Sequence, residues 1–143
     1  MKKIIVFLVF TVFGFYSCNI DTCSEKLPFK LDYHLFSHIE VNGDTYCEMV
    51  NKAFNNDDEI ILVLSKMELY DFAAYQHGAV LIEIIDCYSE QKYCDLISRL
   101  SELEKKHIYY TVRGGLEFTP NNKFQNKDIQ DVFPLLYKIV NNR

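Results

Sequence analysis

The chain has 143 residues, 49% of them hydrophobic and 24% charged, with 15 basic residues against 20 acidic ones and a formal charge of −5. Such a balance repels phosphate backbones and offers no electrostatic attraction to anionic lipid headgroups, which argues against nucleic-acid binding and against membrane residence by charge alone. The length suits one domain with a real core.

Residues 1–17 read as an export signal. Lys2 and Lys3 form a basic n-region, and Ile4 to Tyr16 is an apolar run broken only by Thr11 and Gly14. A membrane-spanning helix needs about 20 apolar residues, so this run is too short to span and suits the h-region of a secretory signal. Ser17 supplies the small residue before a cleavage point, but Phe15 is too large for position −3 of ordinary signal cleavage. Phe15-Tyr16-Ser17-Cys18 instead resembles a bacterial lipobox of the relaxed kind familiar among Bacteroidota, with Phe where Leu is common. That resemblance implies diacylation of the Cys18 sulfur and anchorage to a bacterial membrane, since each buried lipid CH₂ contributes about 0.8 kcal/mol. Loss of Lys2 and Lys3 with the signal takes the formal charge from −5 to −7.

Residues 18–28 are polar and aperiodic and read as a lipid-anchored tether, leaving 29–143 as a single globular helical domain. Residues 29–41 fit either a short helix or an extended segment. Asn42-Gly43-Asp44 reads as a turn or cap, followed by helical spacing through Tyr46, Met49, Val50, Ala53 and Phe54. Asn55 to Asp58 stops that helix. The acids Asp57, Asp58 and Glu59 suit the N-terminus of the next helix better than a calcium loop. The run Ile60–Leu64 fits a buried strand or a buried helix. Asp71 is placed to cap a helix over 72–88, although AVLIEII within it also reads as a strand; Ala73, Ala74 and Glu83 favour helix.

Ser89 then caps an amphipathic helix to Leu103, with Tyr93, Leu96, Ile97, Leu100 and Leu103 on one face. Residues 108–118 fit a hairpin turning at Gly114-Gly115 or a helix ending near those glycines. The last element, Ile129 to Val140, is helical. Pro134 lies in its first turn if Asp131 is the cap, or kinks it if it starts at Asp128. The expected fold is mainly α, with helical hairpins packed as a compact bundle or a short solenoid-like stack. The alternative is α+β, with strands near 60–65 and 79–86 and a hairpin at 108–118. The stretches DFAAYQHGAVLIEII and VRGGLEF are similar to small uncharacterised helical lipoproteins of Bacteroidota, which implies helix at both and no activity.

Five cysteines lie at 18, 23, 47, 87 and 94. Lipidation of Cys18 leaves four, which allow three pairings outside the cytosol. The short loop in CYSEQKYC favours Cys87–Cys94, which leaves Cys23–Cys47 to tie the tether to the first helix; unpaired, these residues would be buried thiols. His34 and His38 stand at i, i+4, a zinc-capable spacing on a helix, but Leu35 replaces the Glu of the zincin pattern. They are read as surface histidines, His77 as structural, and His107 as solvated. A Cys47–His nucleophile pair has no local support. Tyr109-Tyr110, and Tyr88 with Tyr93, suit either a binding surface or the core.

No catalytic, metal or cofactor residues are assigned. The expected function is a non-enzymatic, membrane-tethered protein-interaction domain of the cell envelope, facing the periplasm or the cell surface, with an immunity-type inhibitor as one form. The alternatives are a structural or envelope-assembly lipoprotein and, less favoured, a hydrolase or metal-binding enzyme without a recognisable motif.

Overall fold

The apolar run Ala79–Ile85 sets the architecture. In the computed structural model, which describes residues 23–141, this run lies in the middle of a long helix and is buried throughout. The described elements are α1 (Tyr33–Phe36), β1 (Glu40–Val41), β2 (Asp44–Thr45), α2 (Tyr46–Phe54), α3 (Asp58–Lys66), α4 (Asp71–Tyr88), α5 (Glu90–Ile97), α6 (Glu102–Phe118), α7 (Ile129–Val132) and α8 (Pro134–Asn141). A helix that is apolar all round belongs at the centre of a domain. Helices α2, α3, α5 and α6 all contact α4 and close around it. The chain is therefore mainly α, and the strands considered at 60–65, 79–86 and 108–118 are all helix. A buried helix and a buried strand carry the same unbroken apolar signal, which is why the sequence alone left them open.

The two short strands are a hairpin at Asn42-Gly43. Both turn residues have positive φ, +53° and +87°, as a two-residue type I′ turn requires. The hairpin delivers Thr45 as the cap of α2. Its hydroxyl accepts from the Glu48 backbone N–H at 3.3 Å, while the Glu48 carboxylate accepts from the Thr45 N–H at 2.8 Å. The Thr45 N–H and the Thr45 hydroxyl, both donating to the Glu48 carboxylate, hold that carboxyl below its ordinary range. The same capping box, Ser101 with Glu104, starts α6. Asp57 caps α3, its carboxylate accepting from the Ile60 N–H at 3.1 Å, with Asp58 and Glu59 in the first turn.

Several boundaries differ from expectation. Asp71 is the first residue of α4 and not its cap; Tyr70 holds the cap position without a side-chain bond. The helix expected over 89–103 stops at Ile97, because the Ser101 capping box starts a new helix in a new direction. Leu103 consequently leaves the apolar face it was assigned to and is 79% exposed. The C-terminal helix begins at Asp128 and breaks at Phe133-Pro134, since Pro134 lacks an N–H and drives Phe133 out of helical geometry. Glu90 from α5 caps the second piece, its carboxylate accepting from the Leu135 and Leu136 N–H groups at 2.6 and 3.0 Å.

The packed domain begins earlier than expected. Cys23, Ser24, Leu27 and Leu31 are buried, so the described part of the expected 18–28 tether belongs to the domain. The Lys26 ammonium donates to the Phe54 carbonyl at 2.7 Å, at the negative end of α2. Cys23 is bonded to Cys47, and the Asn51 amide donates to the Cys23 carbonyl at 2.9 Å. Replacing both Cys23 and Cys47 by Ser is expected to lower stability by about 3 kcal/mol, from loss of a 24-residue cross-link. Urea midpoints for that variant and for reduced wild type should then agree.

Helices α4 and α6 cross in backbone contact. Gly78 meets Thr111 and Gly115, and Tyr75 meets Phe118, so the two helices run with opposite chain sense. Neither Gly78 nor Gly115 has room for a Cβ: one at Gly78 would lie 2.2 Å from the Thr111 carbonyl oxygen.

Candidate interaction surface

The buried polar groups are committed to the fold. His77, in α4, is fully buried between two elements. Its Nε2 lies 2.9 Å from the Leu64 carbonyl oxygen, which can only accept, so Nε2 carries the proton. Nδ1 therefore accepts from the Tyr46 hydroxyl at 2.7 Å. Burial holds the ring neutral, with its pKa lowered to about 4. The structural role expected of His77 is what the geometry shows. Tyr93 is likewise inside: its hydroxyl lies 2.7 Å from Ser65 Oγ, which itself donates to the Ile61 carbonyl. Tyr88 donates to the Asp58 carboxylate at 2.6 Å. Glu83, 8% exposed, accepts from the Asn121 amide at 2.7 Å, and burial raises its pKa. Among the described residues, no buried side-chain nitrogen or oxygen lacks a partner.

The cysteines and histidines divide as follows. Cys18 lies outside the described residues. Cys23 and Cys47 are bridged, which removes Cys47 as a thiol nucleophile. The expected Cys87–Cys94 bridge is not formed. Cys87 is exposed at the end of α4 and Cys94 is buried on α5, where burial pushes its thiol up to about 12. Spacing in sequence suggested a closed loop, but the intervening residues turn at Ser89 into a new helix that points Cys94 into the core. His34 lies in α1 and His38 beyond its end, both exposed, so the two do not share a helix face. His107, expected in solvent, is half-buried, with Nε2 3.2 Å from the Met67 carbonyl oxygen.

What the domain presents outward is one face of α6. Leu103, Tyr110 and Phe118 recur about every two turns and so fall along one stripe. They are 79%, 53% and 50% exposed. Gly114 lies between Tyr110 and Phe118, with the Tyr75 ring of α4 over it; a Cβ there would meet Tyr75 Cδ1 at 3.3 Å. Tyr75 and Phe118 have ring centroids 4.1 Å apart, and Phe72, one turn earlier on α4, is 55% exposed. Isolated exposed apolar residues are ordinary, and these residues instead lie in line along one helix.

A cavity of about 400 Å³ opens at the Leu103 end, walled by Leu103, His107 and Tyr110, with Lys66, Glu68 and Lys106 around it. On another flank of α6, a cleft of about 530 Å³ is lined by Arg113, Glu117, Lys127, Asp128 and Tyr137, and its charged residues are all exposed. Of the tyrosines considered for a binding surface, only Tyr110 serves the stripe: Tyr109 packs toward Tyr137, Tyr88 is bound to Asp58, and Tyr93 is in the core. Leu103, Tyr75 and Phe118 were not identified from the sequence. The signal that could have found Leu103 is Ser101-x-x-Glu104, which restarts the helical register just before it.

No family model, curated protein or solved structure matches the chain.

Proposed function

We propose that the chain is a lipid-anchored protein of a bacterial cell envelope whose helical domain binds another protein, without catalysis, through the exposed stripe of α6. The observation that carries this reading is the stripe itself: Leu103, Tyr110 and Phe118 in line on a rigid helix, beside Tyr75 and Phe72. Aromatic side chains that offer large apolar area at little entropic cost are the usual anchors of protein interfaces. An immunity-type inhibitor that occupies an incoming toxin is one form of this function.

The test is affinity capture from envelope extract with wild-type chain and with a Leu103→Glu/Phe118→Glu variant. Leu103 is exposed and Phe118 half-exposed, so the variant should fold, losing about 1 kcal/mol with the Phe118–Tyr75 contact, and should lose the captured partner. Equal capture by the two proteins would remove the stripe from consideration. For the anchor, Cys18→Ala is expected to abolish metabolic labelling with palmitate and to release the protein from membranes. Retention of the variant in the membrane fraction would overturn lipidation at Cys18.

A further inference from the structure

The hairpin that leads into α2 turns on a dipeptide with chemistry of its own. Asn42 alone among the asparagines of the chain precedes a glycine. Both turn residues are exposed, with φ of +53° and +87°. The Gly43 nitrogen has no side chain beside it to shield it, and a Cβ built on Gly43 would meet no atom within 4 Å. The ladder behind the turn has two pairs, Glu40 with Thr45 and Val41 with Asp44. A hairpin this short is marginal by itself and opens locally while the domain stays folded. Its base is held independently, since Tyr46 is buried and its N–H donates to the Ile39 carbonyl at 3.1 Å.

We propose that Asn42 is a modification site, at which the side-chain amide converts without an enzyme to aspartate and isoaspartate. When the turn opens, base removes the Gly43 amide proton and the nitrogen attacks Asn42 Cγ. The N–Cγ bond forms, the Cγ–Nδ2 bond breaks, and the leaving nitrogen takes a proton from water and departs as ammonia. A five-membered succinimide remains. Water then opens the ring at either carbonyl. Attack at Cγ gives aspartate in the original main chain. Attack at the main-chain carbonyl gives isoaspartate, with the chain rerouted through the former side chain and one carbon longer. No co-reactant other than water is consumed. Asn56 and Asn126 provide the internal comparison. They too are exposed with positive φ, +64° and +57°, but they precede Asp57 and Lys127, whose side chains hinder the attack.

Both products alter what the hairpin delivers. Each adds a negative charge beside Asp44, which already pairs with Lys52 at 2.6 Å. The lengthened isoaspartate loop no longer matches a two-residue type I′ turn, and turn geometry sets the strand register. That register places Thr45 on the N-terminus of α2, where it forms the capping box with Glu48.

The test holds the purified, folded full chain at mildly alkaline pH and follows its peptides by mass spectrometry. The expected result is the mass gain of an –NH₂ to –OH exchange on the peptide carrying Asn42. It should resolve into two products, one of them methylated by an isoaspartyl methyltransferase, with Asn56 and Asn126 converting about tenfold more slowly. Asn42→Gly removes the amide and leaves Gly-Gly, which also suits a type I′ turn. That variant should keep its melting temperature through the incubation while that of the wild type falls. Absence of conversion at Asn42 in the folded chain, or equal conversion at all three asparagines, would overturn the site. Equal loss of melting temperature in wild type and Asn42→Gly would overturn its effect on α2.

Discussion

Gly115→Ala is expected to destabilise the domain by about 3 kcal/mol or more, the upper range for overpacking, and to lower its melting temperature accordingly. In an ordinary helix interior this change is favourable by about 1 kcal/mol, because alanine loses less conformational freedom than glycine. The sign reverses here because of what the new methyl group meets. A Cβ on Gly115 would lie 2.2 Å from the Gly78 carbonyl carbon, 2.5 Å from its oxygen and 2.6 Å from the Ala79 nitrogen. All three are backbone atoms of a buried helix and cannot rotate aside.

Relief therefore requires α6 to move away from α4 as a body. That movement would open voids beside buried Leu81, Ile85, Ile108 and Val112, and lost contacts of this kind carry both transfer and cavity costs. Gly78→Ala should behave in the same way, since its Cβ would meet the Thr111 carbonyl oxygen at 2.2 Å. Gly114→Ala provides the contrast. Its Cβ would meet only the edge of the Tyr75 ring, at 3.3 Å, and that ring is 39% exposed and free to tilt. Thermal melts of the three variants followed by circular dichroism should show two large losses and one change within about 1 kcal/mol of zero. Three equal melts would remove the glycine contact as the constraint that sets the spacing of α4 and α6.

These glycines also show where a single sequence stops being informative. Gly114-Gly115 reads locally as a turn, because the residue that explains Gly115 is Gly78, far away in the chain and on another helix. Local signals served well where they were sufficient. The apolar spacing of 46–54 and 129–140, the acidic start at 57–59 and Ser89 as a cap all correspond to observed helices or caps. They failed where burial erases periodicity, as at Ala79–Ile85, and where two helices meet without a Gly or Pro, as between Ile97 and Glu102. The second failure hid the exposed stripe of α6, since Leu103 completes the apolar spacing of the preceding helix while belonging to the next. The disulfides divide along the same line. A short loop suggested Cys87–Cys94, but the turn at Ser89 directs the two thiols apart, while Cys23 reaches Cys47 because Leu27 and Leu31 pin the N-terminal segment to the core.

Acid should destabilise this domain through His77, by an amount that one variant can isolate. The ring is neutral in the folded protein and its pKa lies at about 4, against about 6.5 for an unperturbed histidine. A folded-state pKa below the unfolded one means that the unfolded chain binds the proton first. The stabilisation is therefore complete above about pH 6.5, declines as the pH falls toward 4 and is exhausted below that. The interval corresponds to about 3 kcal/mol at 1.36 kcal/mol per unit. The geometry explains the resistance to protonation. Nε2–H already donates to the Leu64 carbonyl, and a proton on Nδ1 would face the Tyr46 hydroxyl, forcing that group to give up its role as donor inside a fully buried site. Carboxylates such as Glu48 and Glu104, held low by their capping bonds, also lose stabilisation in acid, but they are common to wild type and variant and cancel in a comparison. At pH 7, His77→Gln should be the less stable protein by about 1–3 kcal/mol, because Tyr46 or the Leu64 carbonyl is left without a partner. On titration to pH 4 the wild type should lose its extra stability while the variant does not, so the two urea midpoints converge and then cross. Parallel midpoint curves from pH 7 to 4 would show that His77 does not take up the proton on unfolding.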